Sequence, residues 1–292
     1  FKQKTAYEIS LGLVGSEMCI RDRFIAYARF DNIQNNLDSL DLANFSQIFI
    51  YIDGPKNEDI NQLQIDFVSN FGNKVKIITH QKNMGVRDFI PYAIFDAFKY
   101  SDNLLILEDD ISINNTSINY VLSNSHLLES NMIALFNPMV HNTNIIAYDG
   151  GIWGWCVSKK VWFHFSWSEE SILKIFITLL KKIGLLKSFF YAPLVYLSKK
   201  NKIKSWAYNW FYIRVKSNIK SIIPHKTMSI NLGLGDLFAS NTNRRHKFSN
   251  LKLSDEISHC TQKGIVPFNL NTGYTYLEIF FKATALFRLA SK

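Results

Sequence analysis

The run Leu104, Leu105, Ile106, Leu107 ends in three consecutive carboxylates, Glu108, Asp109 and Asp110, before Ile111 returns to apolar character. An uninterrupted apolar stretch between Ser101-Asp102-Asn103 and Ser112-Ile113-Asn114-Asn115 fits a parallel-sheet strand covered on both faces. In open α/β sheets, ligands gather outside the carboxyl ends of such strands, which is where the acidic triplet would sit. Two readings fit. Hard divalent cations prefer oxygen ligands and would offset three neighbouring carboxylates. A solvated strand-to-helix turn with an acidic cap would use the same residues.

The order of elements around this strand is regular. Residues 24–28 read as a strand, and 31–42 as a helix with Ile33, Leu37 and Leu40 on one face and Asp31 as its cap. Residues 47–52 form a second strand that stops at Asp53-Gly54-Pro55, a turn signal. Residues 57–70 carry apolar positions at helical spacing, 74–79 read as a third strand, and 87–99 as a helix leading into the acidic strand. Strands alternating with helices predict βαβ units and an α/β fold with a mainly parallel sheet. No internal repeat appears.

Residues 2–23 stand apart from this pattern. Lys2-Gln3-Lys4-Thr5-Ala6-Tyr7-Glu8-Ile9 and Leu13-Val14-Gly15-Ser16-Glu17-Met18-Cys19-Ile20-Arg21-Asp22 are the translations, in register, of two sequencing-library adapters. Residues 1–23 are therefore set aside as adapter-derived. The remaining sequence, in a chain that is 47% hydrophobic and 14% aromatic, is ample for a packed core. Outside the adapter segment, Cys156 and Cys260 are the only cysteines and form no CxxC pair, which argues against structural zinc and favours a reducing setting. The net charge of +9 is unevenly placed, since 171–235 holds twelve Lys and Arg and no acid.

Several nucleotide folds lack their signatures here. There is no GxGxxG after the first strand, no GxxxxGK[ST] and no GxSxG, so dinucleotide dehydrogenases, P-loop proteins and α/β-hydrolases lose their binding loops. What remains is a sheet whose strands end in Arg29, Asp53 and the triplet. An Asp can accept from a base imide, an Arg can hold a phosphate, and the carboxylates can take ribose and metal. Asp53 also fits a plain turn, and Arg29 a solvated strand end.

The ordered set Ala28-Arg29, Tyr51-Ile52-Asp53-Gly54-Pro55, Asn83-Met84-Gly85 and Ile106-Leu107-Glu108-Asp109-Asp110-Ile111 resembles nucleotide-sugar transferases of the GT-A fold. The likeness continues through Ile152-Trp153-Gly154-Trp155 with Trp162, Ser205-Trp206-Ala207-Tyr208-Asn209-Trp210, Pro224, and Asn231-Leu232-Gly233-Leu234-Gly235-Asp236. It is similar to bacterial surface-polysaccharide transferases of the hemolytic-protein-like kind, and remotely to the N-acetylglucosaminyltransferase that starts complex N-glycans. The resemblance implies a hexosyl- or N-acetylhexosaminyl-transferase of inverting type. Asp110 would be the metal ligand for Mn²⁺ or Mg²⁺, with Glu108 at the ribose or behind the metal, and Asp109 either beside the nucleotide-sugar or capping the following segment. Asp53 would read the pyrimidine of a UDP-type donor, with Arg29 and Arg87 beside the nucleotide.

For the acceptor, Trp153, Trp155, Trp206 and Trp210 with Gly154 offer rings that suit the apolar face of a sugar, although tryptophans at this density also fit a core. The remote relative carries its catalytic acid between two tryptophans, where this chain has Asn209, which cannot act as a base. Asp236 and Asp149, each in a glycine-rich stretch, are the remaining candidates. That gap leaves a catalytically silent sugar-binding homologue as the alternative.

The expected organisation is a nucleotide-sugar half at 24–115, an acceptor half at 116–245 and a tail at 246–292. Within the acceptor half, residues 171–204 form a basic amphipathic insertion. Leu173, Ile175, Phe176, Ile177, Leu179, Leu180 and Ile183 alternate with Lys174, Lys181 and Lys182, a pattern that suits an anionic membrane surface or a core helix with a basic rim. The expected partners are a nucleotide-diphosphate sugar, a glycan or lipid-linked acceptor and the inner face of a cell membrane, in a cytoplasmic setting. No nucleic-acid module accompanies the basic stretch.

Overall fold

The acidic run is a strand because both of its faces are buried in apolar surroundings. In β4 (Asn103–Glu108), Leu104 and Ile106 enter one core while Leu105 and Leu107 enter another on the opposite face. The same division holds in β2 (Ile48–Ile52), where Phe49 and Tyr51 point one way and Ile48, Ile50 and Ile52 the other. Side chains alternate across a strand, so a sheet with two covered faces demands apolar residues at every position. The computed structural model describes residues 21–26, 30–41, 47–54, 75–137, 144–148, 151–233 and 252–254.

Between these two strands lies β1 (Arg21–Ala26), parallel to both, and outside β2 lies β3 (Val75–Thr79), also parallel. Strand β1 starts before Phe24: Arg21, Asp22 and Arg23 pair with Leu104, Leu105 and Ile106. Backbone pairing asks little of side-chain identity, so residues read as adapter-derived can continue a strand. The sheet then turns mixed. Beyond β4 come β8 (Trp155–Ser158), antiparallel to it, then β6 (Met132–Ala134), β9 (Ser221–Ile223) and β7 (Ile145–Ala147). The eight strands run in the order β3-β2-β1-β4-β8-β6-β9-β7, so one sheet passes through both halves read from the sequence. A small antiparallel pair, β5 (Ile111–Ser112) with β10 (Ile230–Asn231), stands apart from it.

Helices cover both faces, as the α/β reading expects. On one side α1 (Phe30–Ser39) buries Ile33 and Leu37, and α3 (Asn115–Asn124) buries Ile118 and Val121. Helix α3 starts where Asn114 and Ser117 form a reciprocal capping box. On the other side α2 (Val86–Ala97) packs Phe89, Ile90, Ala93 and Ile94 against Phe49 and Tyr51. The same core takes in α4 (Ile172–Ile183), α5 (Leu185–Lys199) and α6 (Ala207–Lys216). The helix expected at 57–70 and most of the 246–292 tail lie outside the described residues.

Candidate functional site

The carboxyl ends of β1, β2 and β4 form one edge of the sheet. Ala26 pairs with Ile52, and Ile25 with Glu108, so the residues that follow β2 and β4 emerge two inter-strand spacings apart, about 10 Å. Asp53, the first residue after β2, is buried and serves as a bracket. One carboxylate oxygen accepts from the Gly54 N–H at 2.9 Å and the Met84 N–H at 2.8 Å, and the other from the Gly85 N–H at 2.7 Å. Asn83 donates to the Gly54 carbonyl at 2.9 Å. The loop before α2 is thereby tied down onto the strand end. Gly54 is required at the junction, because a Cβ there would stand 2.3 Å from the Lys82 carbonyl carbon.

At the end of β4 the chain bends through Asp109 and Asp110 into β5. Burial, together with the carboxylates of Asp110 and Asp109 beside it, pushes Glu108 up to about 8. Downstream residues then close over the bend. The Leu232 N–H donates to the Asp110 carbonyl at 2.7 Å, and Gly233 follows so closely that a Cβ on it would lie 2.7 Å from Asp110 Oδ2. Gly233 N–H donates to Asn231 Oδ1 at 2.8 Å. Trp153 joins the same place through Ser229, whose hydroxyl donates to the Trp153 carbonyl. Asn36, buried in α1, steadies the bend by donating to the Ile111 carbonyl at 2.7 Å and accepting from Ile113 N–H at 3.3 Å.

The structure thus brings together Glu108, Asp109, Asp110, Trp153 and the 229–233 segment, with Asp53 along the same edge. Three expected residues, Arg29, Asp149 and Asp236, lie outside the described residues. Others are reassigned. Trp155, Trp206 and Trp210 are 0%, 2% and 0% exposed, so no ring face is open to a sugar. They pack with Trp162 in one aromatic nucleus, Trp155 to Trp206 at 5.7 Å and Trp162 to Trp210 at 4.9 Å between ring centres. Burying four indoles removes far more apolar surface from water than a single stacked sugar would.

Gly154 is buried as well. Its φ of +75° is one that side chains rarely adopt, and a Cβ would meet the Ser229 Cβ at 3.1 Å, so it is a packing glycine and not an acceptor contact. Of the four tryptophans expected on the acceptor side, Trp153 alone keeps partial exposure, set edge-on against Phe136 at 4.6 Å.

Arg87 is also redirected. Its guanidinium stacks on Trp167 at 3.7 Å, pairs with Asp88, and donates from Nε to the Ser198 carbonyl at 3.3 Å near the end of α5. It clamps α2 to the helical arm instead of facing the acidic edge. Asn209 is equally structural, donating to the Ser166 carbonyl at 2.7 Å and accepting from Ser168 N–H at 3.0 Å. Ser229 and Asn36 were not singled out from the sequence. Asn36 alone carried a signal, as a polar residue beside Ile33, Leu37 and Leu40 on an apolar helix face.

No protein-family model matches the chain, and no curated protein sequence matches it. Among solved structures, GalNAc-T7 with UDP, GalNAc and Mn²⁺ is similar over 72% of this chain and 43% of that one, at 8% identity and a TM-score of 0.46. S. aureus TarS 1-349 is similar over 73% of this chain and 61% of that one, at 11% identity and a TM-score of 0.40. The chain thus spans less than two thirds of either protein.

Among the described residues, no group of three or more His, Cys, Asp or Glu side chains is assembled as a metal cage. The acidic edge instead suits a cation shared with a ligand. Mg²⁺-like ions are commonly held by one or two carboxylates plus substrate phosphates, and the donors here are oxygens throughout. Asp110, next to the closing segment, would supply the protein's direct bond. A separate depression lined by Asp102, His126, Glu129, Lys159 and Phe163 lies at the opposite end of β4, away from these carboxylates.

Proposed function

We propose that the protein is a metal-dependent glycosyltransferase of GT-A type, moving a sugar from a nucleotide-diphosphate donor to a glycan or lipid-linked acceptor in surface-polysaccharide synthesis. The observation that carries this reading is the acidic edge itself. Three carboxylates at the carboxyl end of β4, a strand parallel to its neighbour β1, meet a closing segment, Ser229 to Gly233, that presses against Asp110. An α/β sheet places ligands at this edge, and an oxygen-only donor set beside it favours a phosphate-bound divalent cation.

In this reading Asp110 would hold Mn²⁺ or Mg²⁺, which supplies positive charge to the diphosphate as it leaves the sugar. Glu108 faces the ribose, and Asp109 supports the bend. The Asp53 bracket fixes the loop that borders the base of a UDP-type donor. Trp153 is the surface on which an acceptor sugar rests. For the inverting displacement, a carboxylate removes the proton of the attacking hydroxyl. Asp236, three positions after Gly233 in sequence, and Asp149, four before Trp153, are the carboxylates put forward for that role, both outside the described residues.

The lack of an acid in the 206–210 stretch carries little weight for a silent homologue. That stretch is core in this chain, with Asn209 fully used by the backbone of Ser166 and Ser168. The deciding measurement is release of nucleoside diphosphate from a panel of sugar nucleotides, with and without Mn²⁺. Metal-dependent release from one donor class is the expected result. Donor binding without turnover would favour the silent homologue, and no donor binding with metal present would refute both.

A further inference from the structure

We infer that the hairpin of α4 and α5 is a docking element for an anionic lipid bilayer. Helix α4 is twelve residues long, yet it buries only Ile175 and Leu179. Leu173, Ile177 and Leu180, at helical spacing on another face, are 65%, 42% and 37% exposed. After the turn, Leu185, Leu186 and Phe189 of α5 add exposures of 55%, 43% and 43%. Six large apolar side chains thus gather around one exposed hairpin. A cluster of this kind on a folded surface marks an interaction site.

Charge selects the partner. Lys181 and Lys182 are exposed at the end of α4. From 171 to 235 there is no Asp or Glu. The nearest acid on the chain before α4, Glu170, is already held by Lys174 at 3.2 Å, Lys216 at 2.9 Å and the Tyr212 hydroxyl. Exposed leucines and phenylalanine beside the exposed Lys181 and Lys182 match a layer whose interior is hydrocarbon and whose surface is anionic. Among the described residues no helix is long and apolar enough to cross a membrane, so the hairpin lies in the interface.

The turn suits insertion. Gly184 joins the helices with a φ of +81° and has no atom within 4 Å of where a Cβ would stand, leaving Leu185 and Leu186 at a projecting corner. The far end of α5 is tied to the start of α2 by Arg87, whose Nε donates to Ser198 and whose guanidinium stacks on Trp167. Helix α2 follows the loop bracketed by Asp53. The element that meets the bilayer is therefore coupled to the acidic edge by packed structure. If the protein is the transferase proposed above, the acceptor class is a lipid-linked sugar presented at that surface.

The test uses the full chain without nucleotide, co-sedimented with vesicles of phosphatidylcholine containing about one third phosphatidylglycerol. Binding is expected to anionic vesicles, to be absent from pure phosphatidylcholine, and to fall as salt rises. Lys181→Ala with Lys182→Ala should weaken it about 25-fold, at roughly fivefold per lysine. Leu173→Ser with Ile177→Ser and Leu180→Ser should weaken it at least as much, with melting temperature held near wild type because all three are exposed. Failure of the wild type to bind, or equal binding by both variants, overturns the inference. So does a dimer that the serine variant dissociates, which would mean that a second copy covers the face. A melting loss in that variant without vesicle binding would assign the face to this chain's own 255–292. Donor binding on the same preparation reports separately on the transferase reading.

Discussion

Replacing Gly233 by alanine separates the acidic edge from the fold that carries it. A Cβ at 233 would stand 2.7 Å from Asp110 Oδ2 and 3.0 Å from Asp110 Cβ, where ordinary contact begins at 3.4 Å, so the carboxylate must withdraw by 3.4 − 2.7 = 0.7 Å. Asp110 Oδ2 is the end of a side chain and can swing away at about 1 kcal/mol for an off-rotamer carboxylate, whereas Asp110 Cβ, fixed to the backbone, must give by a few tenths of an ångström. Loss of glycine's freedom in the unfolded chain returns about 0.4–1 kcal/mol, which leaves stability close to wild type. Ligand binding does not tolerate the same shift. A metal anchor displaced by more than about 0.5 Å loses its geometry, and a cost of roughly 10- to 100-fold in metal affinity is expected.

The assay is calorimetric titration of UDP in the presence and absence of Mn²⁺, paired with thermal melts. Leu232→Ala, at an exposed neighbour, serves as the control. A well-folded Gly233→Ala protein with undiminished Mn²⁺-dependent UDP binding would refute the role given to Asp110.

Three further outcomes follow from the same contacts. Glu108, raised to about 8 by burial and by Asp110 and Asp109, costs stability once ionised, so in metal-free protein its own contribution is fully present below about pH 4.5 and is lost as pH rises toward 8. Glu108→Gln should flatten that decline in melts run with a chelator, and an unchanged slope would contradict it. Burial alone would raise Glu170, but hydrogen bonds from Tyr212, Lys216 and Lys174 hold it at about 2, so its stabilisation is full above pH 4.5 and disappears as pH falls toward 2. Glu170→Gln should cost about 2 kcal/mol at neutral pH and nothing near pH 2 in urea titrations, the partial exposure of its lysines having been discounted. Trp210→Ala should destabilise by about 3–5 kcal/mol in the same titrations, whereas a folded, stable variant impaired only toward acceptor would restore the tryptophan to the acceptor site.

Much of the acidic edge was legible in the sequence because it depends on local chemistry. Leu104 to Leu107 could be read as a doubly buried strand from composition alone, and the carboxylates at its end followed by position. Ile33, Leu37 and Leu40 marked the buried face of α1 for the same reason. The tryptophans were not legible in this way. An indole suits a sugar face and a protein core equally well, and only the meeting of β8, the helical turn at Lys159–Trp162 and α6 closed the rings of Trp155, Trp162 and Trp210 against each other. Arg87 is a similar case, since a guanidinium satisfies a phosphate, a carbonyl or an aromatic face, and its partners Ser198 and Trp167 are distant in sequence.

The sequence by itself determined the alternation of strands and helices, the acidic strand end, and the basic, acid-free character of 171–235. Each follows from periodicity or charge that neighbouring residues share. Tertiary structure alone decided that Asn231 to Gly233 lies on Asp110, that Asp53 brackets the loop at Met84 and Gly85, and that Leu173, Ile177 and Leu180 face outward. Such outcomes depend on which apolar faces find partners once the sheet has closed. Side-chain chemistry fixes what a residue is able to bind, and only packing fixes which of those partners stands within reach.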